Sequence, residues 1–346
     1  MRILLSLLIV ATGLYANAQH SKKGMLYLNK SLSAESINQV EASTSGGGIE
    51  VTGVSNTGDA HIEVYITENG HDISYSKDEL DKKISSDYEL SVTTSGNKLT
   101  AIAKTKRNFK NWNSALNFSF VIYVPVNCGT HLNTSGGGIS LANLNGKQDF
   151  STSGGSLEMK GLSGKIYGRT SGGGIVVSDT KDDIDLETSG GGIEASSCSG
   201  KIRLNTSGGS LELKQLNGNI HASTSGGNIE AENITGELVS HTSGGNIDMT
   251  SMNGSLEAST SGGNMDIKFT QLDKYVKLSN SGGNIHLQIP KDKGLSLDIH
   301  GDRIKTEGLN NFSGSVEKES INGTLNGGGI PIDIHAGSGG VTLAIK

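Results

Sequence analysis

Apolar residues fall in pairs two positions apart along most of the chain, separated by glycine and polar positions, and the whole arrangement repeats. Thr-Ser-Gly-Gly stands at Thr134, Thr152, Thr170, Thr188, Thr206, Thr224, Thr242 and Thr260, each 18 residues after the last. With each Thr as position 1, position 6 carries Ile139, Leu157, Ile175, Ile193, Leu211, Ile229, Ile247 and Met265. Position 8 carries Leu141, Met159, Val177, Ala195, Leu213, Ala231, Met249 and Ile267. Position 15 is mostly Ile or Leu, position 17 is small or apolar (Leu186, Leu204, Ala222, Ala258), and position 13 is usually Gly. Apolar residues two apart mean strands, because alternate side chains point to opposite faces. Each unit holds two strands of about four or five residues between glycine-rich corners. Such strands bury their apolar side only by stacking unit on unit. The pattern predicts a right-handed parallel β-solenoid with 18 residues per coil and with positions 6, 8 and 15 buried. At about 4.8 Å per coil, eight coils make a rod of roughly 40 Å.

The Ser-Gly-Gly corners predict sharp turns at positive φ, where Gly carries no steric cost. A phosphate-cradling loop requires a helix after the glycines, and strands follow instead. Hexapeptide solenoids need an apolar residue every six positions, which is absent. In calcium-binding Gly-Gly-x-Gly-x-Asp repeats the fourth place is Gly; here it is Ile or Leu, as in Gly226-Gly227-Asn228-Ile229, and the liganding Asp is missing. An Asn column (Asn228, Asn246, Asn264, Asn284) and an inward Thr column are expected to serve the corners.

The pattern divides the chain. Residues 1–18 read as a secretory signal peptide, with Arg2, an apolar run from Ile3 to Val10, and an Ala16-Asn17-Ala18 cleavage site. Residues 19–133 read as irregular N-terminal coils, rich in aromatics; Lys77 to Lys83 within them reads as a solvated loop or helical turn. Residues 134–290 are the regular repeats, with a relaxed unit at Asn280-Ser281-Gly282-Gly283 and an earlier copy of the motif at Thr44. Residues 291–346 read as irregular closing coils. No later run is long and apolar enough to span a membrane.

Composition narrows the class. Gly is 50 of 346 residues with only 3 Pro and no Gly-X-Y period, which excludes collagen. A net charge of −6 and evenly spaced Ile, Leu and Val argue against disorder. Lys and Arg number 29 against 35 Asp and Glu, which argues against a nucleic-acid binder. Cys128 extrapolates to position 13 of the coil before Thr134, and Cys198 is position 11 four coils later. That places them roughly 19 Å apart along the rod, beyond the ~7 Å Cα limit of a disulfide.

The signal peptide, the proline-ended strand Val121-Ile122-Tyr123-Val124-Pro125 and the Thr-Ser-Gly-Gly-x-Ile units resemble a bacterial exported β-strand-repeat family of unknown function that carries the label putative adhesin. The resemblance covers about residues 35–346 and implies an exported envelope protein, periplasmic, outer-membrane-associated or extracellular, with no catalytic residues to carry over.

Three groups carry candidate chemistry. Lys104, Lys106, Arg107, Phe109, Lys110 and Trp112 interleave charge with aromatic rings and are the candidate ligand contact, toward a glycan, anionic lipid or wall polymer. The bland reading is an exposed loop whose rings fold back on the core. Position 7 faces outward and carries Glu158, Glu194, Glu212, Glu230, Asp248 and Asp266, from Glu194 on an acidic column able to attract divalent cations but read as a solvated ladder partly neutralised by Lys160, Lys214 and Lys268. His221 and His241 sit out of register on neighbouring coils and read as surface residues. No cofactor or metal is expected. The sequence therefore points to a non-enzymatic envelope or surface solenoid, an adhesin or scaffold, whose partner is an envelope glycan or protein. Two alternatives stand beside it: a polysaccharide-active β-helix enzyme, and an envelope-stress or regulatory protein-binding module.

Overall fold

Strands of four residues gain stability only when each backbone finds a partner, and the repeat supplies one every 18 residues. In the computed structural model, which describes residues 24–106 and 114–346, each regular coil contributes one short and one long strand. The coil after Thr170 gives Ile175–Ser178 and Lys181–Thr188. Both pair in parallel with the same positions of the next coil: Ile175↔Ile193, Ile184↔Ile202 and Thr188↔Thr206. Two parallel ladders result, one of short strands and one of long strands, and the chain is a parallel β-solenoid. Ile193, Ile229 and Ile247 at position 6 are 0% exposed, so the expected core register holds.

The core has one more column than the sequence pattern predicts. Position 11 carries Leu144, Leu162, Thr180, Cys198, Leu216, Ile234 and Met252, all buried. The residue before it turns the chain: Asn143, Asp179, Ser197, Gln215, Asn233 and Ser251 at position 10 have φ between 52° and 58°. That left-handed step switches the inward parity from even positions (6, 8) to odd ones (11, 15, 17 and the following Thr). The long strands also run to about eight residues, longer than expected. They tolerate Gly at position 13, whose φ lies between 107° and 149° in the repeats.

The Ser-Gly-Gly corner works differently from the expectation. Its glycines do not adopt positive φ. A Cβ on Gly227 would lie 2.1 Å from the Gly209 carbonyl oxygen of the coil before, and the same clash recurs at Gly155, Gly173, Gly191, Gly209, Gly245 and Gly263. Position 4 is Gly because stacked backbones touch there. Gly226, one residue earlier, meets nothing nearer than 3.5 Å. The Thr column seals the same corner. Thr206 Oγ1 donates to the Gly191 carbonyl at 2.7 Å and accepts from Gly209 N at 3.3 Å, and the pattern repeats from coil to coil. Asn280 replaces it with an amide, donating to the Gly263 carbonyl at 2.7 Å and accepting from Gly283 N at 2.9 Å. The Asn column is structural as expected: Asn246 N donates to Asn228 Oδ1 (3.0 Å) and Asn264 N to Asn246 Oδ1 (2.9 Å).

Both ends depart from sequential stacking. Gln39–Thr44 and Ile49–Val54 form a coil that lies directly on Gly129–Thr134 and Ile139–Ala142, with Thr44↔Thr134 and Ile49↔Ile139. The chain between leaves the stack. It places Lys98–Thr105 and Leu116–Pro125 in parallel on the outer side of that coil. It then closes them with antiparallel strands, Tyr88–Ser95 on one ladder and His61–Glu68 followed by Met25–Ser31 on the other. Lys77 to Lys83 opens an 11-residue helix, Lys77–Asp87, rather than a loop or single turn. Ser76 and Glu79 form a capping box at its start, and Leu80 and Ile84 are buried.

The other end mirrors this. Ile330–Ala336 and Gly340–Ile345 lie on the coil of Val276 and Ile285 (Val276↔Ile332, Ile285↔Val341). Leu295–His300 and Arg303–Glu307, earlier in the chain, lie outside them in parallel. Ser320–Leu325 and Phe312–Val316 then add antiparallel edges. Two of these antiparallel pairs are short hairpins, Tyr88–Ser95 with Lys98–Thr105 and Phe312–Val316 with Ser320–Leu325, which add an edge with little chain. Both cysteines are buried and free, with Cys198 four long strands beyond Cys128.

Candidate functional site

Strand alternation decides which side chains the rod displays. On the short ladder, positions 6 and 8 fill the core and position 7 faces out. Glu194, Glu212, Glu230, Asp248 and Asp266 stand in unbroken register, one per coil. Like charges at this spacing repel. Lys214 forms an ion pair with Glu212 and Lys268 one with Asp266, relieving part of the repulsion as expected. Asp248 has neither, and partial burial, then the Asp266 carboxylate, push its pKa upward. Glu212, Lys214, Glu230, Glu232, Asp248 and Thr250 edge a shallow open depression of about 210 Å³.

Lys104 and Lys106, the described part of the basic-aromatic cluster, lie at the opposite end from the late repeats. Lys104 is exposed near the end of Lys98–Thr105, opposite Glu89. Lys106 is tied to the helix end. Its backbone N donates to the Asp87 carbonyl at 2.8 Å, and its Nζ donates to the Ser85 carbonyl in the last helical turn. A cation there satisfies carbonyls that the last turn leaves open. Arg107, Phe109, Lys110 and Trp112 lie outside the described residues.

His221 stands between Arg203 and Val239, and His241 between Ser223 and Ser259. His241 Nδ1 is 2.7 Å from Ser259 Oγ. The two rings therefore belong to different columns. Burial pushes the Cys128 thiol up to about 12, and the Cys198 thiol upward as well. Neither is a nucleophile at neutral pH.

Sequence reading missed a second histidine group. Asp298-Ile299-His300 and Asp333-Ile334-His335 are identical tripeptides on neighbouring parallel strands, Asp facing Asp and His facing His. Their duplication is visible in the chain, but the two copies are 35 residues apart, outside the 18-residue register. Only the out-of-order stacking of the C-terminal coils brings them together.

Among the described residues no helix is long and apolar enough to cross a membrane. No curated protein matches the sequence. A solved putative cell adhesion protein from Clostridium sporogenes aligns at 12% identity, covering 90% of this chain and 94% of that one, with a TM-score of 0.19. A putative adhesin from Bacteroides fragilis aligns at 14% identity, covering 94% and 98%, with a TM-score of 0.26. At such values neither likeness assigns a residue or a role. The family model described as Toastrack DUF4097 matches residues 59–344. With two parallel ladders through the repeats and that match over most of its length, the chain belongs to the Toastrack DUF4097 family.

Proposed function

We propose that the chain is an exported, non-enzymatic solenoid of the cell envelope or surface, acting as an adhesin or scaffold through its repeated outer faces. The observation that carries this reading is the constant 18-residue register of the two ladders from Ile139 to Thr260. It makes a stiff support on which each outward position recurs once per coil. A backbone so held loses little further freedom on binding, and many weak contacts can act together. The apolar run and Ala16-Asn17-Ala18 site at the start of the chain support export. Lys104 and the neighbouring Arg107, Phe109, Lys110 and Trp112 are the proposed contact for an envelope glycan or anionic polymer.

Protease shaving of intact cells, with fractionation of the remainder, tests the placement. Loss of the protein from intact cells supports surface display. Retention in the cytoplasmic fraction overturns the reading. Incubating purified protein with cell-wall and plant polysaccharides tests the non-enzymatic part: release of reducing or unsaturated ends overturns it.

A further inference from the structure

The C-terminal seam carries four metal-ligating side chains on one face. Leu295–His300 and Ile330–Ala336 run parallel, with Leu297↔Ile332, Asp298↔Asp333, Ile299↔Ile334 and His300↔His335 in register. Ile299 and Ile334 are 0% exposed, so alternation turns all four of Asp298, His300, Asp333 and His335 outward, and all four are exposed. Parallel neighbours lie about 4.8 Å apart, and residues two apart on a strand about 6.6 Å. The donors thus occupy the corners of a small rectangle, imidazoles along one short side and carboxylates along the other.

The observed contacts suit a shared ligand. The His300 and His335 rings stand 6.4 Å apart between centroids, tilted by 54°. His300 Nε2 lies 3.0 Å from Asp298 Oδ1, and Asn322 Nδ2 donates to the same oxygen at 3.5 Å. Lys277 stands beside Asp333 on the next strand, but its Nζ lies over the Tyr275 ring, 5.6 Å from the centroid. Among the described residues, the Asp333 carboxylate has no hydrogen-bond or ion-pair partner. Ser279 and Ser320 flank the imidazoles on either side.

We propose that this face is a binding site for a divalent transition-metal ion of the zinc type. His300 and His335 supply imidazole nitrogens, and Asp298 and Asp333 supply carboxylate oxygens. Two imidazoles with carboxylates match the donor preference and the four-coordinate geometry of Zn²⁺. No three of these donors converge on one point in the structure as it stands. Bringing two nitrogens to about 2.0–2.1 Å from one ion requires the exposed rings to turn toward each other and His300 Nε2 to exchange its Asp298 contact for the ion, and exposed side chains change rotamer in picoseconds to nanoseconds. The ion would join two strands that are neighbours in space but not in sequence.

The test uses the full chain without a histidine tag, titrated with Zn²⁺ by calorimetry and followed in parallel by thermal melting. One equivalent of Zn²⁺ is expected to bind and to raise Tm, with reversal by a chelator. H300A and H335A each weaken binding at least tenfold, D333N weakens it less, and the H221A/H241A control leaves it unchanged. Metal-free melting of each variant should match the wild type, because the four side chains are exposed; H300Q/H335Q serves as a second pair that keeps side-chain volume. Wild-type protein that binds no Zn²⁺, or binds it no tighter than H300A/H335A or H300Q/H335Q, overturns the proposal.

Discussion

The middle of the rod and its two ends solve the same problem with opposite chain logic. Between Asn145 and Thr260 every long strand pairs with the strand one repeat before and one repeat after it. At the ends one coil is sandwiched between strands that are not its sequence neighbours. Gln39–Thr44 lies between Lys98–Thr105 and Gly129–Thr134. Ile330–Ala336 lies between the late part of Met265–Asn280 and Leu295–His300. The middle is therefore modular, with coupling between nearest neighbours, whereas each end is a single knot of non-local contacts. Antiparallel strands cover both ladders at the N-terminal end and the Leu295–His300 ladder at the other, where an open parallel stack would invite further pairing.

The largest effect should come from cutting at one end. Removing residues 330–346 withdraws interior strands, exposing the Ile285 and Val276 level on one side and the Leu295 level on the other. Ile334 and Leu343, both 0% exposed, leave with them. Insoluble protein, or the absence of a cooperative melt, is expected. Excising residues 207–224, a whole repeat in the middle, should leave a soluble rod one coil shorter with a cooperative melt. If the excision is as damaging as the truncation, the middle is not modular.

Next in size is the corner. Gly227→Val drives a Cβ into the Gly209 carbonyl and should cost about 3 kcal/mol. Gly226→Ala, in the same corner but with its Cβ only at van der Waals distance from the coil before, should cost under about 1 kcal/mol. Equal melting temperatures for the two variants would remove close backbone approach as the reason for position 4. Thr206→Val strips the hydroxyl that serves Gly191 and Gly209 and should cost about 1–3 kcal/mol. Thr206→Ser keeps the hydroxyl and should lose less, as chemical denaturation of both will show.

The smallest effect tests the acidic column. The raised pKa of Asp248 means that the fold holds its proton more tightly than the unfolded chain does. Its contribution to stability is therefore complete below the ordinary Asp value of about 3.9 and is lost as pH rises through the higher folded-state value. Asp248→Asn should stabilise the protein at neutral pH by less than about 0.5 kcal/mol, the scale of an exposed charge pair. The gain should vanish at about pH 3. A gain that persists in acid would point to packing rather than charge.

These contrasts explain what could be read from the chain. The parallel solenoid, the buried positions 6, 8 and 15, the Thr and Asn columns and the separation of the cysteines all follow from a register that is local in sequence. Position 11 escaped because Cys198 and Thr180 interrupt its aliphatic run, and because the parity switch at position 10 depends on φ at residues as varied as Asn143, Ser197 and Gln215. The corner glycines were assigned a turn conformation when their neighbour is another coil. Sequence spacing cannot reveal a clash between backbones until the stack exists. The Asp-Ile-His pair escaped for the same reason: its copies meet only across a seam with no fixed period. Lys106 reads from the sequence as part of the candidate ligand contact, yet the helix end beside it engages its charge.

The sandwiched strand Ile330–Ala336 also sets an order in time. A chain folds from its N-terminus as it emerges, and the middle coils can stack one by one as each becomes available. The level above Val276 cannot be filled until residues 330–345 have been delivered, because its strands are Ile330–Ala336 and Gly340–Ile345. Leu295–His300, synthesised earlier, waits for the inner neighbour that will hold it on the rod. Closure of this end thus waits for residues far along the chain, and a chain stalled before residue 330 would leave the Val276 and Ile285 level without its neighbour.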